Sequence, residues 1–231
     1  QKIRRLVSLI DNEYVNDVNS DSLVDDAINY MVGKLDPHST YLDKASVQKA
    51  EEQLKGQFVG VGVQFRVLND TIIVERAIPG TVNSSKLQFG DQFISADKQS
   101  LVGKDNKTIE RLLKGKKGTE VEVAILRNKK PLNVQLERTI VPIPTVIGNH
   151  MLNKEMGYIK LTRFSENSAK EVHQALDDLL KQGMKTLVFD LRGNPGGIMS
   201  VAEKIADEFL TKNELIVYTK DKQKRKKYIY A

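Results

Sequence analysis

The stretch Asp190-Leu191-Arg192-Gly193-Asn194-Pro195-Gly196-Gly197 follows an apolar run and precedes a helical pattern. Glycine carries no side chain, so it leaves the backbone N–H groups of such a turn open to a ligand. N–H groups at the start of a helix can bind an anion or an oxyanion. The turn lacks both G-x-G-x-x-G and a Lys-Ser/Thr ending, so it does not predict a phosphate-binding loop. An ordinary strand-to-helix turn is the alternative.

Around this turn, residues 151–231 alternate between strand and helix patterns. Residues 185–191 form a continuous apolar run, which is typical of a buried parallel strand. Further strands are predicted at 157–161 and 215–218. Ser165 is predicted to cap the helix that lies between strands 157–161 and 185–191. Strands that alternate with helices predict a parallel α/β layer with right-handed crossovers.

The middle of the chain, residues 57–140, has strand character instead. Segments 61–67 and 71–74 flank Asn69-Asp70, a plausible hairpin turn. Asp105 can cap a short helix that carries Ile109, Leu112 and Leu113 on one face. Two more alternating strands follow, so a small β domain with one helix is expected.

Residues 1–56 read as helical, with apolar residues recurring every three to four positions. Pro37 interrupts this pattern, and Asp36 is predicted to fix the turn before it. Asp36 and His38 could instead form a catalytic pair, but the turn is the favoured interpretation. The chain begins inside a helical pattern, so we expect it to be part of a longer protein.

Composition excludes several kinds of site. The chain of 231 residues has no Cys, which rules out disulfides, thiol catalysis and Cys-bound zinc. The three His residues share no ligand spacing, so neither a metal nor a cofactor is expected. No segment approaches the roughly 18 consecutive apolar residues of a membrane helix. The net charge of +6 is concentrated in residues 220–227. A solvated hairpin or an exposed tail is the favoured interpretation, and a nucleic-acid or anionic-lipid patch is the alternative.

Five motifs, in the same order along the chain, resemble those of the C-terminal processing peptidases, tail-specific serine proteases with an embedded PDZ domain. Residues 35–42 resemble L-D-P-[YH]-[ST]-x-[YF]-L, and residues 58–63 resemble the F-x-G-[IVL]-G entry to the PDZ domain. Residues 79–81 and 90–94 resemble its P-[GA] and G-D-x-[IL] turns. Residues 190–197 resemble D-L-R-x-N-x-G-G, and the resemblance extends over the whole chain.

The resemblance implies a multidomain α+β fold. Residues 1–56 would be an N-terminal helical region and residues 57–140 a PDZ domain, a small β-barrel with helices. Residues 141–231 would be the first half of a crotonase- and ClpP-like α/β protease core. In this family a Ser and a Lys form the catalytic dyad. An N–H group of the glycine pair completes the oxyanion hole, which implies Gly196 or Gly197 here.

The sequence departs from the family at the dyad. The family nucleophile lies in a Ser-rich motif followed by Glu, well after the D-L-R segment, and the basic Lys comes later still. Neither motif occurs before Ala231. We therefore expect a chain truncated before its catalytic Ser and Lys, and inactive. Ser200 matches no nucleophile motif.

The glycine-bearing loop Gly60-Val61-Gly62-Val63 is the second predicted site. In a PDZ domain such a loop points N–H groups at the carboxylate that ends a peptide, and the next strand pairs with the peptide backbone. Val61 and Val63 would form one wall of the groove, and the helix face of Ile109, Leu112 and Leu113 the other. The alternative is a glycine-bearing strand of any small barrel.

The predicted function is therefore that of a serine endopeptidase that selects proteins by an apolar C-terminal tail. Peptides or proteins are its expected partners, with no nucleic acid and no transmembrane segment in this chain. The resemblance implies the periplasm or cell envelope. One alternative is a non-catalytic PDZ scaffold with a degenerate core. Another is a crotonase-like core that binds acyl thioesters, which the PDZ segment disfavours.

Overall fold

The computed structural model describes residues 1–231, with the side chains of residues 1–43 and 46–231. The chain divides into two compact units, residues 1–51 and residues 52–231. Within the described residues, none of the helices combines the length and the apolar character needed to cross a bilayer.

The first unit is helical, as predicted. Its helices are α1 (Lys2–Glu13), α2 (Ser20–Val32) and most of α3 (Lys44–Lys55). Asn19 caps α2 by accepting a hydrogen bond from the N–H of Ser22 at 3.1 Å. Asp36 accepts bonds from the N–H groups of His38 and Ser39 at 2.8 and 2.9 Å, and from the Ser39 hydroxyl at 2.8 Å. These bonds lower the pKa of Asp36, and they confirm its role in the turn.

The second unit begins with a β domain. Strand β1 (Gln57–Gly60) pairs with β8 (Thr139–Pro142). Between them lie β2 (Val63–Leu68), β3 (Thr71–Ala77), β4 (Gln92–Ala96), β5 (Gln99–Ser100), β6 (Glu120–Arg127) and β7 (Lys130–Glu137). They form an antiparallel sheet in the order β2-β3-β4-β6-β7, in which β5 pairs with β4. Helix α4 (Asn106–Leu113) completes the domain, capped by Asp105 as predicted.

Short-range signals explain the hairpins of this sheet. Asn69 and Asp70 have φ of 46° and 59°, and Asn128 and Lys129 have 51° and 64°. Two successive left-handed residues match the right-handed twist of the strands that they join. One core lies beneath the sheet, composed of apolar side chains that include Ile72, Val74, Phe93, Leu101, Ile109, Val123, Ile125 and Leu136.

The remaining strands are β9 (Val146–Met151), β10 (Met156–Leu161), β11 (Thr186–Asp190), β12 (Leu215–Lys220) and β13 (Lys226–Tyr230). The helices are α5 (Ser168–Lys181) and α6 (Met199–Asp207). Strand β10 pairs with β11 in parallel and with β9 antiparallel. Leu161 packs with Val172 of α5 and with Val201 and Ile205 of α6. The predicted multidomain α+β fold class is confirmed.

The strand predicted at 215–218 does not join this sheet. It belongs to β12, which pairs with β13 in a separate antiparallel hairpin. The carboxylate of Asp221 closes the hairpin by accepting bonds from Arg225, 2.9 Å from its N–H and 2.6 Å from its Nε. A hairpin with so short a turn closes at little entropic cost, whereas parallel pairing requires a long crossover.

Two further predictions were wrong in detail. Strand β11 is the outer strand of its sheet and is only half-buried, with Val188 40% exposed. Ser165 does not cap α5, because Asn167 takes the capping position. The buried Ser165 hydroxyl instead donates to the carbonyl of Gln53 at 2.5 Å.

Candidate functional site

The turn between β11 and α6 is fixed by backbone pairing with Phe164. The N–H of Phe164 donates to Gly196 O at 3.0 Å, and the N–H of Ile198 donates to Phe164 O at 2.8 Å. Gly197 lies between these two bonds with φ of 148°. A Cβ at Gly197 would lie 2.1 Å from Phe164 O. Only glycine therefore fits at this position.

The two predicted oxyanion donors differ in availability. The N–H of Gly196 already donates to Asn194 Oδ1 at 2.8 Å. Asn194 is itself held by a bond of 3.1 Å from its side-chain nitrogen to Leu161 O. For the N–H of Gly197, the described residues provide no acceptor. The geometry thus leaves Gly197 as the available donor of the pair.

A buried carboxylate lies at the start of the turn. Asp190 accepts bonds from the Arg192 side chain at 2.9 and 2.7 Å, from the Arg192 N–H at 2.9 Å and from the Tyr158 hydroxyl at 2.6 Å. The Nζ of Lys160 lies 3.7 Å away. The Arg192 side chain is the main cause that lowers the pKa of Asp190, followed by the Tyr158 hydroxyl. The same bonds raise the pKa values of Arg192 and Tyr158. Asp190 and Arg192 are thus structural partners, as predicted.

Sequence reasoning missed Tyr158, although a signal was present. Residues 156–161 alternate in burial, with Ile159 and Leu161 fully buried. Successive side chains of a strand point to opposite faces, so Tyr158 and Lys160 share the other face. Lys160 is directly paired with Asp190 in the parallel register. The alternation therefore indicated which polar side chains would lie near the turn.

This carboxylate predicts a dependence of stability on pH. The pKa of Asp190 is lower in the folded chain than its ordinary value of about 3.9, so its stabilisation is complete above that value. It is lost progressively as the pH falls below it. Between about pH 5 and about pH 2.5, the urea midpoint of the wild type should therefore fall further than that of Asp190→Asn. The matched control is Asp207→Asn, which removes an exposed carboxylate on α6 and should keep the wild-type dependence. Parallel curves for all three chains would contradict this role of Asp190.

The predicted peptide-binding loop joins β1 to β2. Gly62 has φ of 67°, and its carbonyl accepts the N–H of Ile78 at 2.7 Å. The N–H groups of Val61 and Gly62 have no acceptor among the described residues. Because β2 is the outer strand of its sheet, its free edge starts directly after this loop. Two available donors next to a free strand edge are what a chain-terminal carboxylate and its backbone require.

Asn83 holds this loop in shape, and sequence reasoning did not find it. Its fully buried side chain donates to Val61 O at 3.0 Å and to Glu137 O at 2.7 Å. It also accepts the N–H of Glu137 at 3.0 Å. The amide therefore links the loop to the end of β7.

The structure brings the predicted wall residues together around one apolar cluster. Val61, Ile109 and Leu113 are buried members of that cluster, and Val63 and Leu112 are half-buried at its surface. Val63 and Leu112 are therefore the two that a bound side chain could contact without a rearrangement of the core.

The other candidates have no catalytic arrangement in this structure. Ser200 is the second residue of α6. His150 packs on the Tyr158 ring with a centroid separation of 5.1 Å, and His173 Nδ1 lies 3.0 Å from Glu208 Oε1. Among the residues that the structure describes, no group of three or more His, Asp or Glu side chains could hold a metal ion.

Comparison with known proteins matches three segments of the chain to models of known families. Residues 1–46 match the activating protease CtpB N-terminal domain, residues 59–137 match the PDZ domain, and residues 155–231 match peptidase family S41. The carboxy-terminal processing proteases CtpB and CtpA of Bacillus subtilis (strain 168) are each 32% identical over 100% of this chain. They align over 49% and 50% of their own lengths, so the chain spans about half the length of these relatives.

Among solved structures, a photosystem II D1 C-terminal processing protease aligns with 93% of this chain and 59% of its own. The sequence identity is 23% and the TM-score is 0.42. The similarity to the two Bacillus proteins extends over the full 231 residues, and the three family matches follow one another in the predicted order. The chain is therefore similar, over its full length, to about half of the carboxy-terminal processing proteases CtpB and CtpA, and it carries a PDZ-domain match followed by a peptidase family S41 match.

Proposed function

We propose that this chain is the tail-recognising part of a serine-type endopeptidase. The loop of residues 60–63 binds the C-terminal carboxylate of a protein substrate, and β2 pairs with the backbone of its tail. The observation that carries the proposal is the pair of available N–H groups at Val61 and Gly62, placed beside a free strand edge. Half-buried Val63 and Leu112 favour an apolar final side chain.

The turn of residues 190–197 supplies the oxyanion donor in this proposal. The available N–H of Gly197 would stabilise the negative oxygen that develops when a peptide carbonyl is attacked. The nucleophile and base of the reaction are a Ser and a Lys in the family that the sequence resembles. No motif for either occurs in residues 1–231, so this chain binds tails without cleaving them. The family resemblance favours a location in the cell envelope.

A non-catalytic PDZ scaffold is the alternative. Both proposals share the peptide-binding loop, and they differ in whether Gly197 serves a reaction. Gly197 is exposed, so its N–H can donate to water or to a substrate oxygen. Its place in the turn that resembles the family's oxyanion segment favours the enzyme.

The carboxylate contact can be tested with peptides that differ only at the C-terminus. Isothermal calorimetry would compare an apolar-ended peptide in its acid form with the same peptide in its amide form. Amidation removes the charge, and hydrogen bonds to charged groups contribute about 1.5–3 kcal/mol. We therefore expect the amide to bind roughly ten- to a hundredfold more weakly. Equal affinity for the two forms would refute the proposed carboxylate site.

A pair of glycine variants tests whether the loop itself is responsible. A Cβ at Gly62 would lie 2.8 Å from Thr81 Cγ2, so Gly62→Ala should distort the loop and weaken binding of the acid peptide. Gly118 has a similar φ of 78° with no atom within 4 Å of its added Cβ. Gly118→Ala therefore carries a similar backbone cost, and it should bind as the wild type does.

A further inference from the structure

The hairpin of β12 and β13 carries a charge that the rest of the structure does not neutralise. Residues 220–227 contain six cationic side chains and one carboxylate, Asp221. Arg225 forms an ion pair with that carboxylate, with 2.6 Å between its Nε and Asp221 Oδ2. Among the residues that the structure describes, no carboxylate lies within ion-pair distance of the remaining lysines. These five exposed lysines are Lys220, Lys222, Lys224, Lys226 and Lys227.

The strand register gathers aromatic and cationic side chains on one face. Tyr218 is paired directly with Tyr228, and Lys220 with Lys226. Successive residues of a strand point to opposite faces, so these four side chains share a face with Tyr230. We name this set the tyrosine-lysine face. Val217 and Ile229 are paired on the opposite face and are half-buried, which leaves the tyrosine-lysine face towards solvent.

Contacts within this face leave the aromatic rings poorly placed to stack on a ligand. Tyr218 and Tyr228 have ring centroids 5.6 Å apart, and Tyr228 and Tyr230 6.3 Å apart. The Nζ of Lys226 lies 4.4 Å from the centroid of the Tyr218 ring. Each ring is nevertheless about half exposed. Like charges directly opposite on two strands destabilise a hairpin, so the pair Lys220 and Lys226 would be relieved by an anion placed above it.

We propose that the tyrosine-lysine face is a docking surface for an anionic lipid bilayer. Tyrosine suits the boundary between headgroups and hydrocarbon because its ring is apolar and its hydroxyl is polar. Lysine extends an apolar stem with its charge at the end, and each basic residue near an anionic surface strengthens the attraction.

Single-stranded nucleic acid is the other polyanion that such residues could bind. Bases bind by stacking on accessible ring faces. Here the rings contact one another, and Lys226 covers Tyr218. Five of the six cations are lysines, whereas arginine is the residue of choice for recognising nucleic acid. A flat face of tyrosine and lysine therefore fits a bilayer better. This docking surface is independent of the proposed peptide site.

Vesicle co-sedimentation of the full 231-residue chain tests the proposal. We expect binding to vesicles of phosphatidylcholine mixed with phosphatidylglycerol, and none to phosphatidylcholine alone. Raised salt should weaken the binding, because it screens exposed charges. The double variant Lys220→Gln with Lys226→Gln should bind roughly thirtyfold more weakly, since each basic residue near the surface contributes roughly fivefold. Exposed side chains are changed, so circular dichroism should match the wild type.

The matched control removes the same charge elsewhere. Lys116 and Lys117 are exposed on the β domain, and Lys116→Gln with Lys117→Gln should change vesicle binding by less than about threefold. Equal losses in the two double variants would overturn the proposal, since net charge alone would then explain binding. Absence of binding to the anionic vesicles would also overturn it. A poly-deoxythymidine oligonucleotide that bound more tightly than the vesicles, and that lost binding in the first double variant, would assign the face to nucleic acid instead.

Discussion

Gly197→Ala is expected to destabilise the sheet of β9, β10 and β11 by about 4 kcal/mol or more, a value reached only when a backbone or core feature is broken. The added Cβ would lie 2.1 Å from Phe164 O and 2.8 Å from its carbonyl carbon. Both atoms belong to the backbone, so no change of rotamer can relieve the contact. The chain must separate at the Phe164–Gly197 bridge and lose its two hydrogen bonds.

Gly193→Ala is the control within the same turn. Gly193 has φ of 76°, with no atom within 4 Å of an added Cβ. Its alanine variant should therefore lose only the roughly 1–2 kcal/mol that a left-handed backbone costs a residue with a side chain. Urea unfolding followed by circular dichroism would measure both variants, and hydrogen exchange of β10 and β11 would locate the loss. Equal destabilisation by the two substitutions would show that the bridge is not the cause.

No peptide cleavage is expected from the 231-residue chain, even at saturating concentrations of a peptide that it binds. Loss of both nucleophile and base from a serine protease leaves only the oxyanion hole and binding, worth roughly 10³–10⁴ over water. Complete enzymes reach roughly 10⁶–10¹⁷. Mass spectrometry of an apolar-tailed peptide should therefore show no product, and a fluorophosphonate probe should label no serine.

The control for this expectation is Ser200→Ala, which changes a serine at the start of α6 near the proposed oxyanion donor. It should leave peptide affinity unchanged and reveal no difference in product. Cleavage by the wild type that disappears in Ser200→Ala would make Ser200 the nucleophile. That outcome would overturn the assignment of the family motifs, while the peptide-binding proposal would stand on its own calorimetry.

Features that depend only on neighbouring residues were predictable from the sequence. The turn at Asn69 and Asp70, the cap at Asp105 and the turn at Asp36 each depend on side chains and backbone within a few positions. The glycine turn after β11 was also located correctly. Its local composition determines its conformation, because glycine is needed where the backbone adopts left-handed or closely approached geometries.

Features that depend on distant partners were not predictable. Asn83 bonds to groups 22 and 54 positions away, and no local period marks such a residue. The same limit explains why Gly196 and Gly197 could not be told apart, since Asn194 bonds to Gly196 while Phe164 determines the place of Gly197. Strand β12 was assigned to the wrong sheet because its apolar run identifies a strand and says nothing about its neighbour.

The buried amide of Asn83 also imposes an order of assembly on the β domain. The loop at Val61 lies near the start of the domain, and Glu137, which shares the same amide, lies at its end. While the chain is being synthesised, the loop emerges from the ribosome about 75 residues before its last anchor. Until Glu137 arrives, the amide of Asn83 lacks two of its three bonds and the loop lacks its fixed support. The proposed tail-binding loop is therefore fully supported only when the whole domain has been made.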